Sequence, residues 1–187
     1  TGLASGAGEA PENVSPPAPL ASPVDAATAG NIMGLTAFEG TPPQPGVVRM
    51  ASDPTYVQPG VTATDETLVV GAAGALRNVF VYVKDGLGDL RFPIPSESLL
   101  LDQTGCLYAP HVMGAQMGQS LEILNSDPTL HNVHAVPVTN QEFNTGQPLP
   151  GKKHTHQFTT SEVMVPFKCD VPPCIVAWVG LVDHPFF

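Results

Sequence analysis

Positive charge is scarce in this chain. Seven Lys and Arg stand against 17 Asp and Glu in 187 residues, for a formal net charge of −10. A surface of that sign does not displace counterions from phosphate, which excludes nucleic acid as a partner. Long apolar runs are missing too. The longest, Ile175 to Val182 (IVAWVGLV), falls far short of the roughly 20 residues that carry a helix across a bilayer, so no transmembrane segment is expected. There is no GxSxG elbow, no P-loop, no glycine-rich dinucleotide fingerprint and no HExxH, so the sequence gives no reason to read an enzyme. Cysteine is sparse and odd in number, three in all, so they cannot all pair within one chain.

What is present points to strands. Hydrophobic residues make up 42% of the chain, enough to fill a core, while 21 Pro and 18 Gly punctuate it too often for long helices. An all-β chain of short strands and tight turns is expected, most of it a single domain. Residues 1–30 stand apart. They contain no Lys, no Arg and no aromatic residue, and such a stretch cannot bury enough surface to offset its ordering entropy. They read as a Pro/Ala-rich tether, extended by its prolines and ordered only where another protein chain holds it. The start at Thr1, without Met, fits a removed signal peptide and a periplasmic or extracellular location.

From Asn31 onward, strands are expected near 31–38, 46–51, 67–71, 78–84, 98–101, 105–112, 119–125, 131–138, 153–159, 162–168 and 174–182. In the stretch NVFVYVK, Val79, Val81 and Val83 alternate with Phe80 and Tyr82, as in a strand covered on both faces. Strands at this spacing make a Greek-key β-sandwich.

The second half carries GQSLEILNSDPTLHNVHAVP from Gly118, EVMVPFKCDV from Glu162 and AWVGLVDHPFF from Ala177. Upstream stand GLTAFEGTPPQPGVVRM, DETLVVG and LRNVFVYVKDGL. In order and spacing, residues 31–187 resemble the plastocyanin-like cupredoxins, and within them a group of secreted bacterial cupredoxin-domain proteins. The resemblance implies a copper-carrying Greek-key sandwich with two imidazoles, a thiolate and a weak axial thioether as ligands. It gives the first imidazole to His131 and the thiolate to Cys169. The family's other two ligands sit in a CDVHPWM-like loop, whereas this chain reads Cys169-Asp170-Val171-Pro172-Pro173-Cys174-Ile175. Pro172 stands at the position of the second His and Ile175 at that of the Met, and neither side chain can bind copper. The expectation is therefore a cupredoxin sandwich without a blue-copper site and without a cofactor, acting as an accessory subunit of an envelope or extracellular assembly, a membrane-associated one included. The alternative is an electron-transfer protein whose variant copper site combines His131 and Cys169 with Cys174 or His184.

The cysteines leave two readings of their own. A Cys169–Cys174 disulfide closing a short loop is one, provided that the Cα atoms approach within about 7 Å; a dithiolate metal site is the other. Cys106 reads as a buried thiol. Period-2 alternation puts His131 and His134 on opposite faces of one strand. His154 and His156 share a face, and beside Lys152 and Lys153 they read as a solvated edge, with a surface metal pair the lesser reading. His184 reads as a hydrogen-bonded packing residue. Asp85, Asp89, Asp102 and Asp127 lie in turn contexts, where Asp serves local backbone bonding.

Overall fold

The structure is a computed structural model and describes residues 22–25, 27–47, 64–171 and 176–187. The expected tether and the Pro172–Ile175 loop segment therefore lie largely or wholly outside the described residues. Among the described residues, nine strands form two sheets: β1 (Leu99–Thr104), β2 (Leu107–Ala109), β3 (Val112–Gln116), β4 (Leu121–Asn125), β5 (His131–Ala135), β6 (Phe143–Gln147), β7 (Lys153–His156), β8 (Glu162–Lys168) and β9 (Val176–Val182). One sheet runs β2-β1-β4-β7 and the other β3-β9-β8-β5-β6. Both are mixed: β1 pairs with β4, and β3 with β9, in parallel, while the remaining ladders are antiparallel. The chain is all-β among the described residues apart from one turn of 3-10 helix at Ala72–Gly74.

Period-2 burial assembles the core. Leu101 of β1 and Leu121 and Ile123 of β4 face inward from one sheet, to meet Val133 of β5, Val165 and Phe167 of β8 and Val179 of β9. Each is essentially inaccessible, and each such side chain contributes about 1.5–3 kcal/mol of burial free energy. Pro166 sits in β8 although β8 is an inner strand. Its missing N–H is tolerated because the ladder to β5 uses only Phe167 and Lys168, while the Pro166 carbonyl accepts from Val136 N–H (2.9 Å).

Several expected strands are not strands. Residues 31–38, 67–71 and the described part of 46–51 contribute only isolated bridges, Ala37 with Ala75, Val47 with Thr64 and Val70 with Leu76. Residues 78–84 run extended without a ladder, held by Val83 N–H donating to the Phe186 carbonyl (3.1 Å). Their alternation is a matter of packing: the rings of Phe80 and Tyr82 stack at 5.3 Å, while Val79 and Val81 are exposed, so this segment is covered on one face only. The expected strand 105–112 is broken by a Gly105–Cys106 turn and by Pro110. Two strands escaped the sequence pattern: β3, of which only Val112 was expected, and β6 (FNTGQ), which turns Gln147 inward where an apolar residue would have signalled burial.

Beneath the 78–84 segment, Gly114 of β3 and Gly180 of β9 are direct partners in the parallel ladder. A Cβ on Gly180 would meet the Phe80 ring at 2.3 Å, and one on Gly114 would meet Phe187 at 2.2 Å. The glycine pair thus cuts a shallow seat in the outer face of the sheet, which two aromatic rings fill.

Candidate functional site at one end of the sandwich

The ends of β1, β4, β6 and β8 and the start of β5 converge at one end of the sandwich. His131 opens β5 and is fully buried, and Cys169 follows β8 at 2% exposure. The fold brings them together, with His131 Nδ1 3.5 Å from Cys169 Sγ. The opposite ring nitrogen, Nε2, lies 2.9 Å from Asp127 Oδ2. A carboxylate only accepts, so Nε2 carries the proton and Nδ1 presents its lone pair toward the sulfur.

Asp127 is more than a turn residue, contrary to the sequence reading. Its carboxylate accepts from Gly105 N–H (2.7 Å) and Cys106 N–H (3.1 Å) as well as from His131. Gly105 and Cys106 have φ of 63° and 61°, the left-handed pair of a two-residue hairpin between β1 and β2, and their successive N–H groups form a nest for an anion. A Cys in that region is strained. The carboxylate, reaching across from the β4–β5 turn, holds it there. Cys106 is buried, as expected.

Cys169 has further partners. Its sulfur accepts from Asn132 N–H (3.4 Å) and donates to Asn132 Oδ1 (3.2 Å). Asn132 Oδ1 also accepts from Asp170 N–H (2.7 Å), and Asn132 Nδ2 donates to Asp170 Oδ2 (2.8 Å). His134, on the same face of β5 as Asn132, places Nδ1 3.0 Å from Asp170 Oδ2 and Nε2 2.7 Å from Glu142 Oε1. The hydrogen bond to Glu142, then that to Asp170, raises the His134 pKa above its ordinary value. Hydrogen bonds from Asn132, His134 and Asn144 lower that of Asp170. His134 therefore clamps the start of the loop after β8 and does not join His131.

Copper of the blue type needs two imidazoles, a thiolate and a weak axial ligand. The described residues bring together His131 and Cys169, and among them no group of three or more His, Cys, Asp or Glu is arranged to hold a metal ion. Pro172, Cys174 and Ile175, and with them the Cys169–Cys174 pairing, lie outside the described residues. By chemistry alone, Pro172 and Ile175 add no side-chain donor. His184, the other variant candidate, has both ring nitrogens engaged: Nε2 donates to the Val83 carbonyl (2.8 Å) and Nδ1 accepts from Phe186 N–H (3.1 Å). It is the packing residue that the sequence suggested, with no lone pair left for a metal.

Two mixed sheets, with a His at the start of β5 and a Cys at the end of β8 meeting at one end, form the framework that the motifs implied. The arrangement is the two-sheet β-sandwich that the cupredoxin resemblance implied. Among solved structures, the chain is similar to a copper-containing nitrite reductase from Thermus scotoductus, at 16% identity and TM-score 0.44 over 56% of this chain and 26% of that one. It thus spans about a quarter of that reductase chain. A Cu(I) amicyanin variant matches at 18% identity and TM-score 0.41, over 48% of this chain and 86% of its own. A purple cupredoxin from Nitrosopumilus maritimus matches at 20% identity and TM-score 0.38, over 46% of this chain and 98% of its own. No protein-family model and no curated protein matches the sequence.

The register of the β4–β7 ladder also corrects the reading of His154 and His156. They are opposite Ile123 and Leu121 in the β4–β7 ladder, so they share the inward face with those core residues and are half-buried. Lys153 takes the outer face and pairs with Glu122 (2.7 Å). The edge is solvated on the lysine side only. Among the described residues no helix is long and apolar enough to cross a membrane.

Proposed function

We propose that this chain is a non-enzymatic cupredoxin-fold protein that has lost its blue-copper site and serves as a structural or accessory subunit of a periplasmic or extracellular assembly. The donor inventory carries this reading. His131 and Cys169 are two of four required ligands, each already bonded to protein groups, and the sequence puts Pro172 and Ile175 where the other two belong. No cofactor is required in this role.

The assembly half of the proposal draws support from the N-terminal stretch. Ile32 and Met33 are 96% and 93% exposed, and Leu35 is 74% exposed. Three large apolar side chains in an extended segment are a surface that a neighbouring chain can cover. Residues 1–30, just upstream, would be held by the same neighbour, in an envelope complex at a membrane or in an extracellular one.

A second reading keeps the metal, as an electron-transfer protein with His131, Cys169 and Cys174 in a variant copper site. The 3.5 Å approach of His131 Nδ1 to Cys169 Sγ favours it. Metal analysis and a visible spectrum after Cu(II) addition separate the two. The accessory reading expects no intense thiolate-to-copper band near about 600 nm and no stoichiometric copper. A blue or purple protein with one bound copper overturns it. In the Pro172→His, Ile175→Met double variant the same reading expects copper colour to appear.

A further inference from the structure

The edge strand β7 carries a feature that neither the copper remnant nor the assembly role uses. His154 and His156 lie two apart on one strand, face the interior, and are held with ring centres 6.3 Å apart and planes 17° from parallel. Phe143, from the edge strand β6 of the other sheet, packs on both rings, at 5.0 Å from His154 and 4.3 Å from His156. Phe158 closes the row against His156 at 4.5 Å. These contacts restrict both imidazoles, so little side-chain entropy remains to be lost on binding.

Two further observations ask for a ligand. His154 Nε2 is buried without a hydrogen-bond partner, a state that native proteins rarely leave unrelieved. Burial lowers the pKa of both residues, and for His156 the neighbouring His154 lowers it further. Both rings are therefore neutral near pH 7, the state in which imidazole binds metals. A tetrahedral cation bonded at about 2.0–2.1 Å to one nitrogen of each ring holds the ring centres roughly 5 Å apart, so a closing of the observed 6.3 Å separation by about 1 Å brings both nitrogens onto one ion.

We propose that His154 and His156 form a divalent transition-metal site at the β6–β7 edge of the sandwich, taking a borderline cation such as Zn2+ through two imidazoles and completing its coordination with water. The pair links the inward face of one sheet to the Phe143 edge of the other, so the ion fastens the seam where the two sheets end. The net charge of −10 favours cation approach. The site is separate from the copper remnant, because no member of the Asp127, His131, Cys169 chain takes part.

The test is calorimetric titration of the full chain with ZnCl2 at pH 7, with the histidine ring nitrogens followed by NMR. The wild type and Cys169→Ser are both expected to bind one equivalent, with shifts confined to His154 and His156. His156→Gln is expected to weaken binding at least about tenfold. His154→Gln is expected to do the same, and circular dichroism confirms that each variant is folded. Should one variant fail to fold, the other and the ring-nitrogen shifts carry the decision. The proposal is overturned if no binding occurs up to about 1 mM Zn2+, if a folded His154 or His156 variant keeps wild-type affinity, or if Cys169→Ser abolishes the binding.

Discussion

Removing the Asp127 carboxylate is the most searching perturbation of the sandwich end. Asp127→Ala strips the acceptor from three donors at once: Gly105 N–H, Cys106 N–H and His131 Nε2–H. Each buried donor left without a partner costs about 1–3 kcal/mol. Partial relief by water at the turn leaves an expected loss of about 3–5 kcal/mol, a large share of the 5–15 kcal/mol typical of a domain. Asp127→Asn keeps an acceptor oxygen for the nest, and its amide can donate to a re-tautomerised His131, so about 1–2 kcal/mol is expected. Urea unfolding followed by the fluorescence of the single tryptophan, Trp178, measures both. With a slope near about 2 kcal/mol/M, the Ala variant lowers the midpoint by roughly 1.5–2.5 M and the Asn variant by less than about 1 M. If Asp127→Ala moves the midpoint by under about 0.5 M, or if the Asn variant is the weaker of the two, the carboxylate does not organise this end as described.

Three other outcomes are expected. Gly180→Ala drives a Cβ into the Phe80 ring, 2.3 Å away, and is expected to cost about 1–3 kcal/mol in thermal unfolding; an unchanged melting temperature would mean that the ring moves aside freely. His154 and His156 have pKa values lowered from about 6.5 and His134 has one that is raised, so they shape stability with opposite signs. The unfolded chain binds more protons at the first two, so stability falls as pH drops below about 6.5; the His134 contribution is full below that value and fades as pH rises through its folded pKa. His156→Gln should flatten the acid limb of a stability–pH curve and His134→Gln the alkaline limb, and unchanged limbs would contradict the burial and the clamp respectively. Mass spectrometry of the air-oxidised, alkylated chain without reductant is expected to find Cys169 linked to Cys174 and Cys106 alkylated, whereas alkyl groups on all three would exclude the disulfide.

The strands that could be read from the sequence are those whose inward positions are apolar: Leu121 and Ile123 of β4, Val165 and Phe167 of β8 and Val179 and Leu181 of β9 recur at every second position and fill one core. β6 could not be read, because its inward anchor is Gln147, which bonds the Ile123 and Lys152 carbonyls and the buried Gln103 instead of packing as a hydrophobe. The 78–84 segment misled in the opposite sense, since its alternation reflects aromatic stacking on a glycine seat and not a ladder. At the candidate site, His131 and Cys169 were legible through the motifs around them. Asp127 was not, because the nest it fills belongs to a hairpin more than twenty residues upstream. The inward turn of His154 and His156 had a signal that the adjacent lysines obscured: Phe158 continues their face at the next alternate position, an aromatic row on the core side.

The seat formed by Gly114 and Gly180 bears on the order in which the molecule is put together. The pair exists only when β3 and β9 lie side by side, a parallel contact between segments more than sixty residues apart. Phe80 and Phe187, themselves more than a hundred residues apart, can settle there only afterwards. Contacts of such sequence separation are slow to close and weakly formed in transition states. The segment around Phe80 is thus a late-closing flap, tied down through Val83 at both the Phe186 amide group and the His184 ring. Until it closes, the outer face of β3 and β9 lies open in the nascent protein, with two adjacent residues that have no side chains to shield the backbone.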